Sequence, residues 1–221
     1  MSRNPHQVTK DFEAALCEYT GAPYAVAVNS CTMALTLALA WALRYEDGVG
    51  SVDVNGVNPW RHPARPFVGI PKRTYVSVPQ AIIHAGGMPV FEDREWLGGY
   101  PLNPLPVWDY ARWFTSGMYA DAAGDMFCVS FHASKTLGLE QGGAILHDNA
   151  EADAWFRRAR FDGRAEGVAP KDDTAIILGW HCYMNPSTAA QGILKLHSLP
   201  RHNAPLPNDD YPDLSTLRCF K

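Results

Sequence analysis

Apolar residues recur at helical spacing from Val8 to Tyr19, with Val8, Phe12, Ala15, Leu16 and Tyr19 on one stripe that stops at Gly21-Ala22-Pro23. This pattern predicts an amphipathic helix leading into a strand, Tyr24 to Val28 (YAVAV). From Thr32 to Arg44 the residues are mostly Ala, Leu, Met and Trp, which predicts a helix buried on most sides. Between 46 and 66, Gly, Pro, Asp and Asn are dense enough to defeat both periodicities, so a long loop or a pair of irregular turns is expected. Short buried strands are predicted at Phe67 to Ile70 and Pro89 to Phe91, with a helix from Val76 to Ala85 between them. A Gly- and Pro-rich connection over 92–106 follows, and Pro106 to Trp108 leads into Asp109. Met126 to Phe131 and Gly143 to His147 are further strand candidates, and their hairpin-like join carries Lys135 and the pair Gly142-Gly143. Helices are predicted over Ala150 to Arg160 and Ser187 to His197, whereas Pro, Asn and Asp from Leu199 onward predict an extended tail. Short strands alternating with helices favour a layered α/β domain.

Bulk properties narrow the function without naming it. A chain of 221 residues, 47% of them apolar, can bury the core of one large domain, or of one domain with a small appendage. A formal net charge of −4, with Lys and Arg scattered, provides no footprint for nucleic acid or an anionic membrane, though a nucleotide-like substrate stays open. The longest apolar stretch, Ala22 to Leu43, is interrupted by Asn29, Ser30, Thr32 and Thr36, and MSRNPHQ lacks the apolar core of a signal peptide. Neither export nor a membrane span is therefore expected. Cys17, Cys31, Cys128, Cys182 and Cys219 are widely spaced without a CxxC pair, so no metal site and no disulfide framework is expected, and a reducing cytoplasm is the natural setting.

The chemistry centres on S-F-H-A-S-K, residues 130–135, followed by T-L-G-L-E-Q-G-G-A-I-L. A lone lysine is ordinarily a solvated surface charge. Lys135, however, follows a buried-looking strand, sits beside Ser130, His132 and Ser134, and precedes a glycine pair that allows close backbone approach. Partial desolvation in such a place lowers an amine's pKa towards a nucleophilic free base. Upstream, V-N-S-C-T-M-A-L (28–35) places Ser30, Cys31 and Thr32 where a strand turns into a helix. Free N–H groups and the positive helix end can hold a phosphate there, although simple helix capping explains the same hydroxyls.

These segments together resemble the DegT/DnrJ-type sugar aminotransferases, a family of pyridoxal 5′-phosphate (PLP) enzymes with the aspartate-aminotransferase fold. The resemblance covers roughly residues 10–198 and rests on four segments in order: the 28–35 turn, P-K-R-T-Y-V-S (71–77), V-W-D-Y-A-R (107–112) and the lysine segment. It implies that Lys135 carries PLP as a Schiff base, that Ser30, Cys31 and Thr32 hold its phosphate, and that Tyr75 stacks on its ring. It implies also that Asp109 pairs with the pyridine nitrogen and keeps it protonated. Arg112, Ser130 and His132 would border the cofactor. His181, in G-W-H-C-Y-M, stands where the family has an Asn that reaches a neighbouring subunit's phosphate, so a homodimer is implied. The implied architecture is a three-layer α/β/α sandwich with a mostly parallel sheet: residues 1–198 are the PLP-binding domain, and 199–221 form an extended tail in place of the family's small domain.

Three departures bear on the reaction. A strand and helix that the family has between the segments matching Phe91 and Val107 are missing, and the closing C-terminal domain is expected to be absent, which would leave an open site or one completed by a partner subunit. Arg112 stands where the family has Gln or His, and favours an anionic substrate group unless it points to solvent. Transamination between a small-molecule amino-acid donor and a keto sugar is the first reading. A PLP-dependent decarboxylase, acting on an amino acid or a conjugate, is the second, and a non-catalytic binding protein that keeps the fold is the third.

Overall fold

The computed structural model describes residues 6–45 and 65–220; the loop expected over 46–66 lies, except for its last two residues, outside them. Among the described residues, five α-helices and seven strands follow in the order α1 (Gln7–Thr20), β1 (Tyr24–Val28), α2 (Cys31–Tyr45), β2 (Phe67–Pro71), α3 (Ser77–His84), β3 (Met88–Glu92), β4 (Tyr100–Pro101), β5 (Val107–Tyr110), β6 (Met126–Ser130), β7 (Gly143–His147), α4 (Ala150–Ala159) and α5 (Pro186–Ser198). One sheet runs β1-β7-β6-β5-β4 and a second pairs β2 with β3. Asn103 and Gly69 exchange backbone hydrogen bonds of 2.7 and 3.1 Å, so the chain just after β4 joins the two sheets edge to edge.

Side-chain alternation along the strands builds the layers. On β1, Val26 and Val28 face α2, α3 and α4, together with Cys128 and Ile145 from β6 and β7. Ala25 and Ala27 face the other way, with Phe127, Val129, Ala144 and Leu146, onto Phe12 and Leu16 of α1 and Ala189 and Leu196 of α5. Helices cover both faces, which is the three-layer α/β/α sandwich expected. Strand direction differs from expectation. β5–β6 and β2–β3 are parallel, but β1–β7, β6–β7 and β4–β5 are antiparallel, so the sheet is mixed rather than mostly parallel. The join of β6 to β7, residues 131–142, holds no crossover helix and folds back, which gives the antiparallel pairing.

Two local features depart from the sequence pattern. The 92–106 connection contains β4, whose two residues pair with Asp109 and Trp108. The inner face of α1 includes polar groups: Thr9, Glu13 and Thr20 are buried beside Phe12 and Leu16, while Val8, Ala15 and Tyr19 are only partly covered. Glu13 is admitted because its carboxylate accepts from Ala27 N at 2.9 Å and pairs with Arg157 at 2.7 Å and with the fully buried Arg160. The two guanidiniums hold its carboxyl below the ordinary range, against a burial that pushes it up.

From Leu199 the chain has no long regular element, only 3-10 turns at Leu214–Thr216 and Arg218–Phe220. It is nevertheless held along its length. Trp113 Nε1 donates to Asn203 O at 2.9 Å, Leu206 N donates to Arg112 O at 2.8 Å, and Leu214 N donates to Lys72 O at 2.9 Å. This path carries the tail across the ends of β5 and β2.

Candidate active site

At that end of the sheet lies a cavity of about 320 Å³, lined by the ends of β5 and β6, the starts of α2 and α3, and the tail. Ser30, Cys31 and Thr32 form one wall. Ser30 Oγ caps α2 by accepting from Met33 N at 3.2 Å. Both roles considered for this turn coexist, because capping uses one N–H and leaves those of Cys31 and Thr32 outside the helical ladder. Thr32 Oγ1 lies 2.8 Å from Ser77 Oγ at the start of α3, which brings a second hydroxyl to the same wall.

The glycine pair explains how the turn meets the lysine segment. A Cβ at Gly143 would sit 2.5 Å from Cys31 N and 2.7 Å from Ser30 C, so β7 backs directly onto the helix start. Gly142 has φ +134° and faces Met184, whose Cε would be 2.9 Å from a Cβ. Phe131 N donates to Gly142 O at 2.9 Å, which closes the loop carrying Lys135. Within it, Lys135 N donates to His132 O at 2.8 Å in a tight turn, and His132 Nδ1 lies 3.0 Å from Ser134 Oγ. Ser130 is buried at the strand end, and it, His132 and Lys135 all border the cavity. Lys135 is half-buried, and burial together with the guanidinium of Arg112 depresses its pKa, more than Asp209 and Asp109 restore it.

Asp109 lies across the cavity at the end of β5, 4% exposed. Its carboxylate accepts from Tyr100 Oη and from Ala111 N, both at 2.9 Å. Both donors are neutral, and burial raises its pKa despite them and despite Lys135. Tyr100, on β4, is itself held by Thr74. Tyr75 stands at the mouth, 58% exposed.

Arg112 borders the cavity but does not point to solvent. It is 7% exposed, its Nη1 pairs with Asp209 at 2.6 Å, and its Nη2 donates to Pro207 O. The charge expected to face a substrate anion is thus answered by the tail. His181 is the one predicted site residue that does not border the cavity: its side chain is 70% exposed and lies 3.0 Å from Asp162. The sequence reading missed Thr74, Ser77, Asp209 and Tyr211, which line the cavity as well. Ser77 could have been found, as a hydroxyl at a predicted helix start two residues beyond Tyr75.

The sequence profile of the DegT/DnrJ/EryC1/StrS aminotransferase family matches residues 3–96 and 115–205. The chain belongs to this family. The match is interrupted at 97–114, the stretch holding Asp109 and Arg112, so their place in the site rests on the geometry above. The spore coat polysaccharide biosynthesis protein SpsC of Bacillus subtilis (strain 168) is 36% identical over 191 residues, covering 68% of this chain and 44% of that protein. Among solved structures, AtS13 from Actinomadura melliaura superposes with a TM-score of 0.66 at 19% identity, over 87% of this chain and 60% of that one. NtdA from Bacillus subtilis, solved with bound cofactor PMP, gives 0.62 at 19% identity, over 87% of this chain and 48% of that one. PseC of Helicobacter pylori, an aminotransferase involved in pseudoaminic acid biosynthesis, gives 0.60 at 17% identity, over 90% and 63%. The likeness to these structures establishes the α/β fold of PLP-dependent aminotransferases, and the chain spans about half the length of the relatives it matches.

The residues of this chain fit PLP. A buried carboxylate whose hydrogen bonds come only from neutral donors suits a ring cation, and a half-buried amine with a depressed pKa suits a carbonyl. The start of a 15-residue helix flanked by hydroxyls suits a phosphate dianion.

Proposed function

We propose that this chain is the PLP-binding part of an aminotransferase that moves an amino group from a small amino-acid donor to a keto sugar. The single observation carrying this reading is that Lys135, Asp109 and the start of α2 converge on one cavity although they lie far apart in sequence. PLP bound there would supply an electron sink for cleavage of a substrate α-bond. Lys135 offers the free-base amine for the cofactor's carbonyl and then carries a proton to and from the substrate's α-carbon. Asp109 keeps the ring nitrogen protonated, the α2 turn with Ser30 and Thr32 anchors the phosphate, and Tyr75 covers the ring from the mouth.

On this reading residues 1–198 are the cofactor-binding domain and 199–221 the tail, of which Asp209 and Tyr211 border its mouth. A homodimer is inferred, in which the exposed His181 reaches the partner's phosphate. Five unpaired cysteines support a reducing cytoplasmic setting. Among the described residues no helix is long and apolar enough to cross a membrane.

The test is spectroscopic. Added PLP should produce an absorbance band at the edge of the visible that Lys135→Ala lacks, and incubation with an amino-acid panel should convert it to the pyridoxamine form with release of a keto acid. Absence of the band in the unsubstituted chain would contradict the cofactor assignment; carbon dioxide release without conversion would contradict transamination and support decarboxylation.

A further inference from the structure

Among the described residues lining the cavity, Arg112 is the one with a buried side-chain polar atom that lacks a hydrogen-bond partner. It is fixed and buried, its Nε has no hydrogen-bond partner among the described residues, and its Nη1 is met by an aspartate. That aspartate is unlike it in every respect. Asp209 has 64% of its side chain exposed and sits on a segment without regular structure, in a carboxylate contact that an incoming acid could reproduce. Tyr211 Oη lies 3.2 Å from Asp209 Oδ2 and 3.5 Å from Arg112 Nη1, so it could serve either carboxylate.

We infer that Arg112 and Tyr211 form a carboxylate-binding subsite for a small organic acid, occupied in the free protein by Asp209 as an internal stand-in. The ligand's carboxylate displaces Asp209 into solvent, where an aspartate is readily hydrated, and pairs with the guanidinium. At Nη1 the incoming carboxylate reproduces the pairing that Asp209 makes and can take the Tyr211 hydroxyl as Asp209 does. Exchange is favourable because the buried cation is never left unpaired, which would be the costly alternative. The inference deepens the proposed function, since it places the carboxyl end of an amino-acid donor or keto acid on the tail side of the cavity.

Succinate and its uncharged diamide, titrated calorimetrically into the chain without PLP, test the subsite separately from the cofactor reading. Asp209→Asn removes the competing carboxylate and should tighten succinate binding by about tenfold. Arg112→Gln/Asp209→Asn removes both charges, so neither partner is left stranded, and should abolish it. The diamide should bind to neither. Equal succinate affinity in Asp209→Asn and the unsubstituted chain, binding that survives in the double variant, or binding of the diamide would each overturn the assignment. A chain that binds succinate in this pattern yet gives no PLP band would refute the cofactor reading while leaving the subsite standing.

Discussion

Replacing Gly143 by alanine tests how closely the cofactor wall depends on β7. Gly143 has ordinary extended geometry within β7, pairing with Val28 on one side and Ser130 on the other, so an alanine meets no conformational barrier there. Space is the obstacle. The new Cβ would lie 2.5 Å from Cys31 N, 2.7 Å from Ser30 C and 2.8 Å from Cys31 Cα. Carbon contacts settle at about 3.5–4.0 Å, so roughly an ångström of movement is required, and every obstructing atom is main chain that no rotamer change can withdraw. Overpacking of this kind costs about 3 kcal/mol, at the upper end of the usual range. Because the displaced atoms include the Cys31 N–H, in the turn proposed to hold the phosphate, PLP binding should also suffer. Losing one hydrogen bond to a charged group costs about 1.5–3 kcal/mol, or roughly ten- to hundredfold in affinity. Urea denaturation and PLP titration by absorbance measure the two effects. Gly117→Ala is the matched control: no atom lies within 4 Å of its Cβ, and φ +69° alone should cost about 1 kcal/mol with PLP affinity unchanged. If Gly143→Ala melts within about 0.5 kcal/mol of the unsubstituted chain and binds PLP equally well, the close approach is not what builds the phosphate wall.

Three other perturbations have definite signs. Asp109→Asn should retain PLP but slow the reaction at least a hundredfold, on the order of what positioned proton chemistry contributes; an unchanged single-turnover rate would contradict the electron-sink role. His147 is fully buried, its ring stacked on Tyr24 at 5.5 Å, and burial holds its pKa down at about 4. Because this lies below the unfolded value of 6.5, its contribution is complete above pH 6.5 and is lost as pH falls towards 4, by about 3 kcal/mol. His147→Phe should flatten that part of the urea stability profile, and an identical profile would show that another group titrates. Glu13→Gln leaves Arg157 and the buried Arg160 without their shared carboxylate and should cost about 3–5 kcal/mol in urea denaturation. The same carboxylate, with its pKa below the ordinary value, contributes fully above pH 4.5 and loses that contribution as pH falls.

What the sequence made legible follows the range of the forces involved. Tyr24–Val28 and Gly143–His147 were readable to the residue, because each is a continuous apolar run closed by turn residues and buried on both faces. The start of α2 and the lysine turn were readable too, since capping and tight turns depend on neighbours a few positions away. β4 was invisible: two residues carry no period, and Tyr100–Pro101 is a strand only because β5 lies beside it. Nothing local announces the burial of Glu13, because its two arginines lie 144 and 147 positions onward.

Arg112 shows the same limit at the active site. Its type and position announced a cation beside the cofactor, and the open question was whether it faced an anion or solvent. Neither choice included the tail, because a segment of Pro, Asn and Asp has no local pattern that says where it lies. Burial decides the matter physically. A guanidinium 7% exposed must have its charge answered, and Leu206 N on Arg112 O brings Asp209 to where it can do so. The tail, which the sequence announced only as extended, is therefore what answers the charge of a buried arginine beside the cavity.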